Sequence, residues 1–258
     1  LENQSVLNDP SYLVLLLGAA FIAGALNAVA GGGSFLTLPA LVFAGLPPVV
    51  ANATGTVALL PGYASGAFGF REDMQAPPGL SMRTLIVLSL IGGAMGATLL
   101  LVTNDRTFNQ VVPWLLLVAT ILFAVGPMLL RKFNSSKTGH VSATKSAAGV
   151  LVVSIYGGYF NGGLGILLLA LFGLLGQTNL NAMNGIKNVV SALLTAIAVA
   201  IYAWGGLVAW PQALVMMVAA TAGGYFGARI ARRIPAPVLR AAIVATGVTM
   251  TTLFFLRT

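Results

Sequence analysis

Eight apolar stretches set the terms for this chain. Residues 12–30, 49–70, 84–102, 111–130, 146–160, 189–204, 213–228 and 238–256 carry almost no charge. About 20 such residues cross the hydrocarbon core of a bilayer. Inside hydrocarbon, each backbone N–H and C=O needs an internal partner, which a helix supplies. The expected fold is therefore an all-α integral membrane protein, a polytopic helical bundle. Two shorter runs, 35–44 and 166–175, are too short to cross unaided. Only 7% of the chain is charged, against roughly 25% in a soluble domain. The net charge of +8 first suggests nucleic acid. The basic residues sit in loops between spans, however, which is the positive-inside pattern of an inner-membrane protein, with the lipid bilayer as partner and no nucleic acid. There is no cysteine, so disulfides, thiolate metal sites and thiol redox chemistry are excluded. Glu2 and Asp9 precede the first span without a basic residue, unlike a signal peptide.

The phrase Gly92-Gly93-Ala94-Met95-Gly96-Ala97 returns as Gly223-Gly224-Tyr225-Phe226-Gly227-Ala228, a shift of 131 positions between Gly92 and Gly223 in 258 residues. Repeats of this kind build secondary transporters. Each half reads as a span, a short segment and three more spans. The predicted units are an N-terminal repeat over 1–132, a cytoplasmic linker over 133–145 and a C-terminal repeat over 146–258. Arg131, Lys132, Lys137 and Lys145 flank the linker, and Arg229, Arg232, Arg233 and Arg240 flank the last loop. Both loops are expected in the cytoplasm. Counting spans then puts Arg71 and Arg83 inside, Asp105 and Arg106 outside, and both termini in the periplasm. The halves thereby take inverted topology, each with a short or re-entrant helix pair followed by three spans.

The acidic residues Glu2, Asp9, Glu72, Asp73 and Asp105 all lie in loops or tails, and the single histidine, His140, lies in the linker. No span carries a carboxylate for a proton relay, a sodium site or paired-carboxylate hydrolysis. No catalytic residue, metal site or cofactor is expected, and the chain is not predicted to be an enzyme. What remains is neutral polar chemistry and one lysine. Asn27 and Gly31-Gly32-Gly33-Ser34 open the first short segment; Asn161-Gly162-Gly163 and Gly165 open the second. Helix N-termini at such glycines present backbone N–H groups and positive dipole ends to an anion. The bland alternative is tight turning and close helix packing. Asn52, Thr54 and Thr56 match Asn184, Lys187 and Asn188 at the start of the third segment of each half. An unpaired lysine at membrane depth costs about 2.5–3.5 kcal/mol, which a bound anion offsets; alternatively Lys187 ends a helix and snorkels to the surface. The Gly-Gly-x-x-Gly-Ala phrases read as helix-packing faces. Pro39 in the first short segment predicts a kink or break.

These residues carry a resemblance. Asn27, Gly31-Gly32-Gly33-Ser34-Phe35, Pro39-Ala40-Leu41 and Ala51-Asn52-Ala53-Thr54 come from the first half. Tyr156-Gly157-Gly158, Gly162-Gly163, Gly165 and Asn181-Ala182-Met183-Asn184-Gly185-Ile186-Lys187-Asn188 come from the second. In order, spacing and duplication, from Leu13 to Phe254, the chain resembles the sulfite exporter TauE/SafE family. It departs at Asn184-Gly185-Ile186-Lys187, where the family pattern resembles Ala-Asn-Ala-x-Lys. The resemblance implies a transporter of sulfur-containing anions such as sulfite or sulfoacetate. The expected mechanism is export by alternating access around a midplane site. Backbone donors come from the glycine tips, side-chain hydrogen bonds from Asn52, Thr54, Thr56 and Asn188, and positive charge from Lys187. An anion channel or a non-catalytic membrane subunit are the alternatives.

Overall fold

The computed structural model describes residues 9–29, 31–135, 142–231 and 236–257. Lys137, His140, Arg232, Arg233 and Glu2 lie outside the described residues. Among the described residues all regular structure is helical. In chain order the helices are α1 Pro10–Val29, α2 Ser34–Phe43, α3 Pro48–Gly69, α4 Met82–Leu101 and α5 Asp105–Ser135. The second set is α6 Ala143–Phe160, α7 Leu164–Leu174, α8 Leu180–Trp204, α9 Trp210–Ala231 and α10 Ala236–Arg257.

Local chemistry explains the boundaries. Pro48 opens α3, where its missing N–H costs nothing, and the Asp105 carboxylate accepts the Val49 N–H at 3.0 Å. Ser81 caps α4 by accepting the Thr84 N–H at 3.1 Å. Asn179 caps α8 by accepting the amides of Asn181 at 2.9 Å and Ala182 at 3.2 Å. That cap corrects one expectation: α8 starts nine residues ahead of 189, so Asn184, Lys187 and Asn188 lie within the helix rather than before it. A second correction concerns Pro39. Helix α2 runs unbroken through it, because the proline forfeits only the N–H bond to the Phe35 carbonyl.

Among the described residues three helices combine the length and hydropathy of a membrane span: Pro10–Asn27, Met82–Leu101 and Asn181–Trp204. Helices α3, α9 and α10 have 22 residues each and α5 has 31, at least about 33 Å at 1.5 Å per residue. Helix α3 is less apolar because Asn52, Thr54 and Thr56 face protein, not lipid. Helices α2 and α7, of 10 and 11 residues, reach only about half that distance. The outer surface is apolar: Val14, Val102, Val218 and Leu256 are each at least 70% exposed. A water-soluble protein would not present such a surface; this is an integral membrane protein.

Helix α1 packs on α9, α4 on α6, α3 on α8 and α5 on α10. The repeated glycine phrase makes the first two contacts. A β-carbon on Gly223 would collide with the Phe21 carbonyl, and one on Gly96 with the Ile155 carbonyl. Gly24 likewise admits the Ala220 carbonyl. These are small-residue faces that bring backbones together, as the sequence suggested. Helices α3 and α8 run antiparallel, since Gly66 faces Asn188 and Phe70 faces Gly185. One end of the bundle joins the α3–α4 and α7–α8 loops, where the Gln177 amide donates to the Gln75 carbonyl at 3.1 Å. The other end joins α3 to the α8–α9 loop, where the Ala209 N–H donates to Thr54 Oγ1 at 3.0 Å.

Gly96→Val or Gly223→Val should lower stability by at least about 1–3 kcal/mol, because overpacking forces backbone apart. Gly18→Ala, with nothing within 4 Å of the added carbon, should be neutral or stabilising. Thermal melting in detergent tests this: a Gly96→Val protein that melts like wild type contradicts the close α4–α6 approach.

Candidate functional site

The two glycine tips meet. A β-carbon on Gly31 would lie 2.7 Å from the Cα of Gly165. Gly31 and Gly163 hold φ of +77° and +71°, values that glycine adopts without penalty. Asn161, the C-cap of α6, is also left-handed at φ 50°. The chain therefore reverses twice at one place, between α1 and α2 and between α6 and α7.

Ending a helix inside protein leaves its last carbonyls without intrahelical partners. At α6 each of these is met. The Asn161 N–H donates to the Gly157 carbonyl at 3.2 Å and the Gly162 N–H donates to that of Phe160. The Tyr202 hydroxyl donates to the Gly158 carbonyl. Asn52 Nδ2 donates to the Tyr159 carbonyl at 2.9 Å. Two residues past the end of α6, the Tyr156 hydroxyl donates to the Gly162 carbonyl at 2.5 Å. Asn161 itself accepts from the Tyr63 hydroxyl at 3.0 Å through Oδ1. Asn27 lies beside this network, its amide facing Gly62 of α3 at 3.9 Å from a β-carbon placed there.

Several buried polar atoms remain without a hydrogen-bond partner. They include Asn27 Oδ1, Ser34 Oγ, Asn161 Nδ2, Lys187 Nζ, Ser191 Oγ and Thr195 Oγ1. Lys187 is 1% exposed, which rules out the surface-snorkelling reading. The described carboxylates of Asp9, Glu72, Asp73 and Asp105 are all exposed. Among the described residues the one ion pair is Arg71–Glu72 at 3.3 Å.

The expected site residues thus fall into two sets. Asn52, Thr54 and Thr56 serve the scaffold: Asn52 caps α6, Thr54 holds the α8–α9 loop, and the Thr56 hydroxyl donates to the Asn52 carbonyl at 2.8 Å. Gly31 and Gly165 supply the close approach, and Gly33 packs against Leu59. The tip amides are partly consumed locally. Those of Phe35, Leu36 and Thr37 bond to Gly32 and Gly33, and those of Leu164, Ile166 and Leu167 to Asn161 and Gly163. Asn27, Ser34, Asn161 and Lys187 keep unpartnered polar atoms, and Asn188 faces Gly66 on α3. Sequence reasoning missed Tyr63, Tyr156 and Tyr202, whose hydroxyls complete the tips, and Ser191 and Thr195. The signal for the last two was present: Lys187, Ser191 and Thr195 recur every fourth residue, one line on a helix.

Asn52→Ala and Tyr202→Phe should each destabilise by about 1–3 kcal/mol, the cost of orphaning a buried carbonyl. Unchanged melting of both variants would show that α6 ends some other way.

With this geometry in view, comparison with known proteins is informative. A model of the family described as sulfite exporter TauE/SafE matches residues 16–254. A probable membrane transporter protein of Haemophilus influenzae is 26% identical over 243 residues, covering 93% of this chain and 92% of that protein. A probable membrane transporter protein, ORF9, of Sinorhizobium is 27% identical, covering 92% and 90%. The probable membrane transporter protein YfcA of Escherichia coli K12 is 27% identical, covering 90% and 84%. No solved structure matches. An all-helical membrane protein matched over this span, with transporters as its relatives, belongs to the sulfite exporter TauE/SafE family of membrane transporters.

Proposed function

We propose that this chain exports a small sulfur-containing anion, sulfite or an organosulfonate such as sulfoacetate, across the inner membrane by alternating access. The observation that carries the reading is Lys187: an ammonium 1% exposed with no partner at Nζ. A charge so placed is costly unless a counter-charge joins it. A substrate anion supplies that charge. Ser34 Oγ and Asn161 Nδ2 add unpartnered donors at the tips, where hydrogen bonds to an anion are strong. An inside-negative potential favours anion exit by about 2.3 kcal/mol per charge per 100 mV, so export requires no carboxylate relay.

The inverted arrangement is supported by two features. The third helices of the two halves, α3 and α8, pack antiparallel. A two-fold axis relating antiparallel helices lies across them, in the plane of the membrane. The exposed Arg71, Arg83 and Lys145 stand at the ends of α3, α4 and α6 that share one face of the bundle, the cytoplasmic one by the positive-inside rule.

In proteoliposomes, Lys187→Ala should cut sulfite flux by at least about tenfold and abolish stabilisation of the purified protein by sulfite, sulfonate or thiosulfate. Lys187→Arg should retain part of both. Unchanged flux and affinity in Lys187→Ala would sink the assignment, and single-channel currents would replace carrier by channel. Because the chain lacks cysteine, single replacements can be labelled with an impermeant thiol reagent. Arg83→Cys and Lys145→Cys should react from one side of the membrane, and Arg106→Cys and Trp204→Cys from the other. Labelling of Arg83→Cys and Arg106→Cys from the same side contradicts the topology.

A further inference from the structure

Hydroxyls on helices normally return their proton to the carbonyl four residues back. This chain does so repeatedly. Thr56, Ser89, Thr98, Thr103, Thr221, Thr251 and Thr252 each donate to that carbonyl at 2.6–2.9 Å. Among the described residues six buried hydroxyls have no partner, those of Ser34, Thr120, Ser146, Ser154, Ser191 and Thr195; of these, Ser191 and Thr195, both 0% exposed, lie on one helix line with Lys187. They stand one and two turns beyond Lys187 on the same face of α8. Each orphaned buried hydroxyl costs free energy, and here two of them continue the line of an unpartnered buried lysine.

The line they form has a direction. Its Lys187 end adjoins Asn188, which faces Gly66 near the C-terminus of α3, on the side of the bundle that carries Arg71 and Arg83. Its far end adjoins Leu194, whose Cδ1 lies 3.1 Å from a β-carbon placed on Gly157 in the last turn of α6. Tyr202, two turns further along α8, reaches the Gly158 carbonyl. Eight residues of helix between Lys187 and Thr195 span about 12 Å. The line therefore runs from the basic end of the bundle to the tip where α6 turns into α7.

We propose that Lys187, Ser191 and Thr195 form a ladder of donors that passes an oxyanion from the basic end of the bundle to the glycine tips. This rests on the transporter reading and deepens it. Ser191 and Thr195 bind the anion's oxygens as it leaves the Lys187 ammonium, and their hydroxyls stay unbonded to the helix so that they are available to it. In this structure the ladder is closed, as the burial of all three residues requires of one state in an alternating cycle. A hydroxyl ladder suits a sulfite or sulfonate group, whose several oxygens can hold one rung while engaging the next. A halide has no such second acceptor.

The test is uptake of sulfur-35 sulfite by proteoliposomes holding wild type, Lys187→Ala, Ser191→Ala with Thr195→Val, and Ser191→Ala with Thr195→Ser. Loss of two hydrogen bonds to a charged substrate should slow the alanine–valine variant by about tenfold or more at saturating sulfite. Its melting temperature in detergent should equal or exceed that of wild type, since two orphaned hydroxyls are gone. The serine variant should recover most of the rate lost to valine. A wild-type rate and KM in the alanine–valine variant overturn the ladder, as does slowing with a lowered melting temperature, or a serine variant as slow as the valine one. If wild type moves sulfite, Lys187→Ala does not and the alanine–valine variant does, the ladder alone fails. If wild type moves neither sulfite nor sulfoacetate, the sulfur-anion reading fails and takes the ladder with it.

Discussion

The contact between Gly31 and Gly165 is the constraint from which the rest of the bundle follows. Backbone meets backbone there, and no residue with a side chain could take the place of Gly31 without pushing the tips apart. Two chain reversals inside a membrane protein expose helix ends where water cannot serve them. The side chains around the tips answer that need: Asn52 and Tyr202 take the α6 carbonyls and Tyr156 takes that of Gly162. The short lengths of α2 and α7 follow as well, because each begins at a tip rather than at a surface. Part of the polarity at the centre of this apolar bundle is therefore the cost of turning the chain there, and the candidate site is sought among the atoms left over after that accounting.

That subtraction separates residues which sequence could not. Asn52 and Asn161 look alike in sequence, each an asparagine in a polar cluster inside an apolar region. The structure commits the Asn52 amide to a helix end and leaves Asn161 Nδ2 without a partner. Thr54 and Thr56, expected as ligands, carry hydrogen bonds to a loop and to a helix turn. Hydrogen-bond commitments of this kind join residues about 100 positions apart, as Asn52 and Tyr159 do, and local pattern carries no trace of them.

Other features were legible because they depend on local chemistry. Runs of about 20 apolar residues mark helices whatever packs against them, and the repeated Gly-Gly-x-x-Gly-Ala phrase announced its packing role. The two short segments appeared as α2 and α7 within two residues of their expected bounds. The start of α8 was not legible, because Asn184 and Gly185 look like helix breakers. They lie inside a helix because Asn179 caps it upstream and α3 packs alongside. That difference moved Lys187 from a plausible surface anchor to a buried charge, which changes what it can do.

The two halves also differ where the chemistry matters. Shifting by the interval from Asn52 to Asn184 sets Gly55 against Lys187, Leu59 against Ser191 and Tyr63 against Thr195. Gly55 packs closely on Thr37 and Leu59 is 1% exposed in the core. Tyr63 uses its hydroxyl on Asn161. Thus α3 spends these three positions on packing and on the tip, while α8 leaves three donors unspent at the matching ones. A repeated architecture does not demand repeated chemistry: the scaffold needs both halves to be alike so that they can interlock, whereas a single cation suffices to hold a single anion. A second buried lysine at Gly55 would add another desolvation cost without another counter-charge. On the proposed reading, the asymmetry between Gly55 and Lys187 is what a site for one small anion requires.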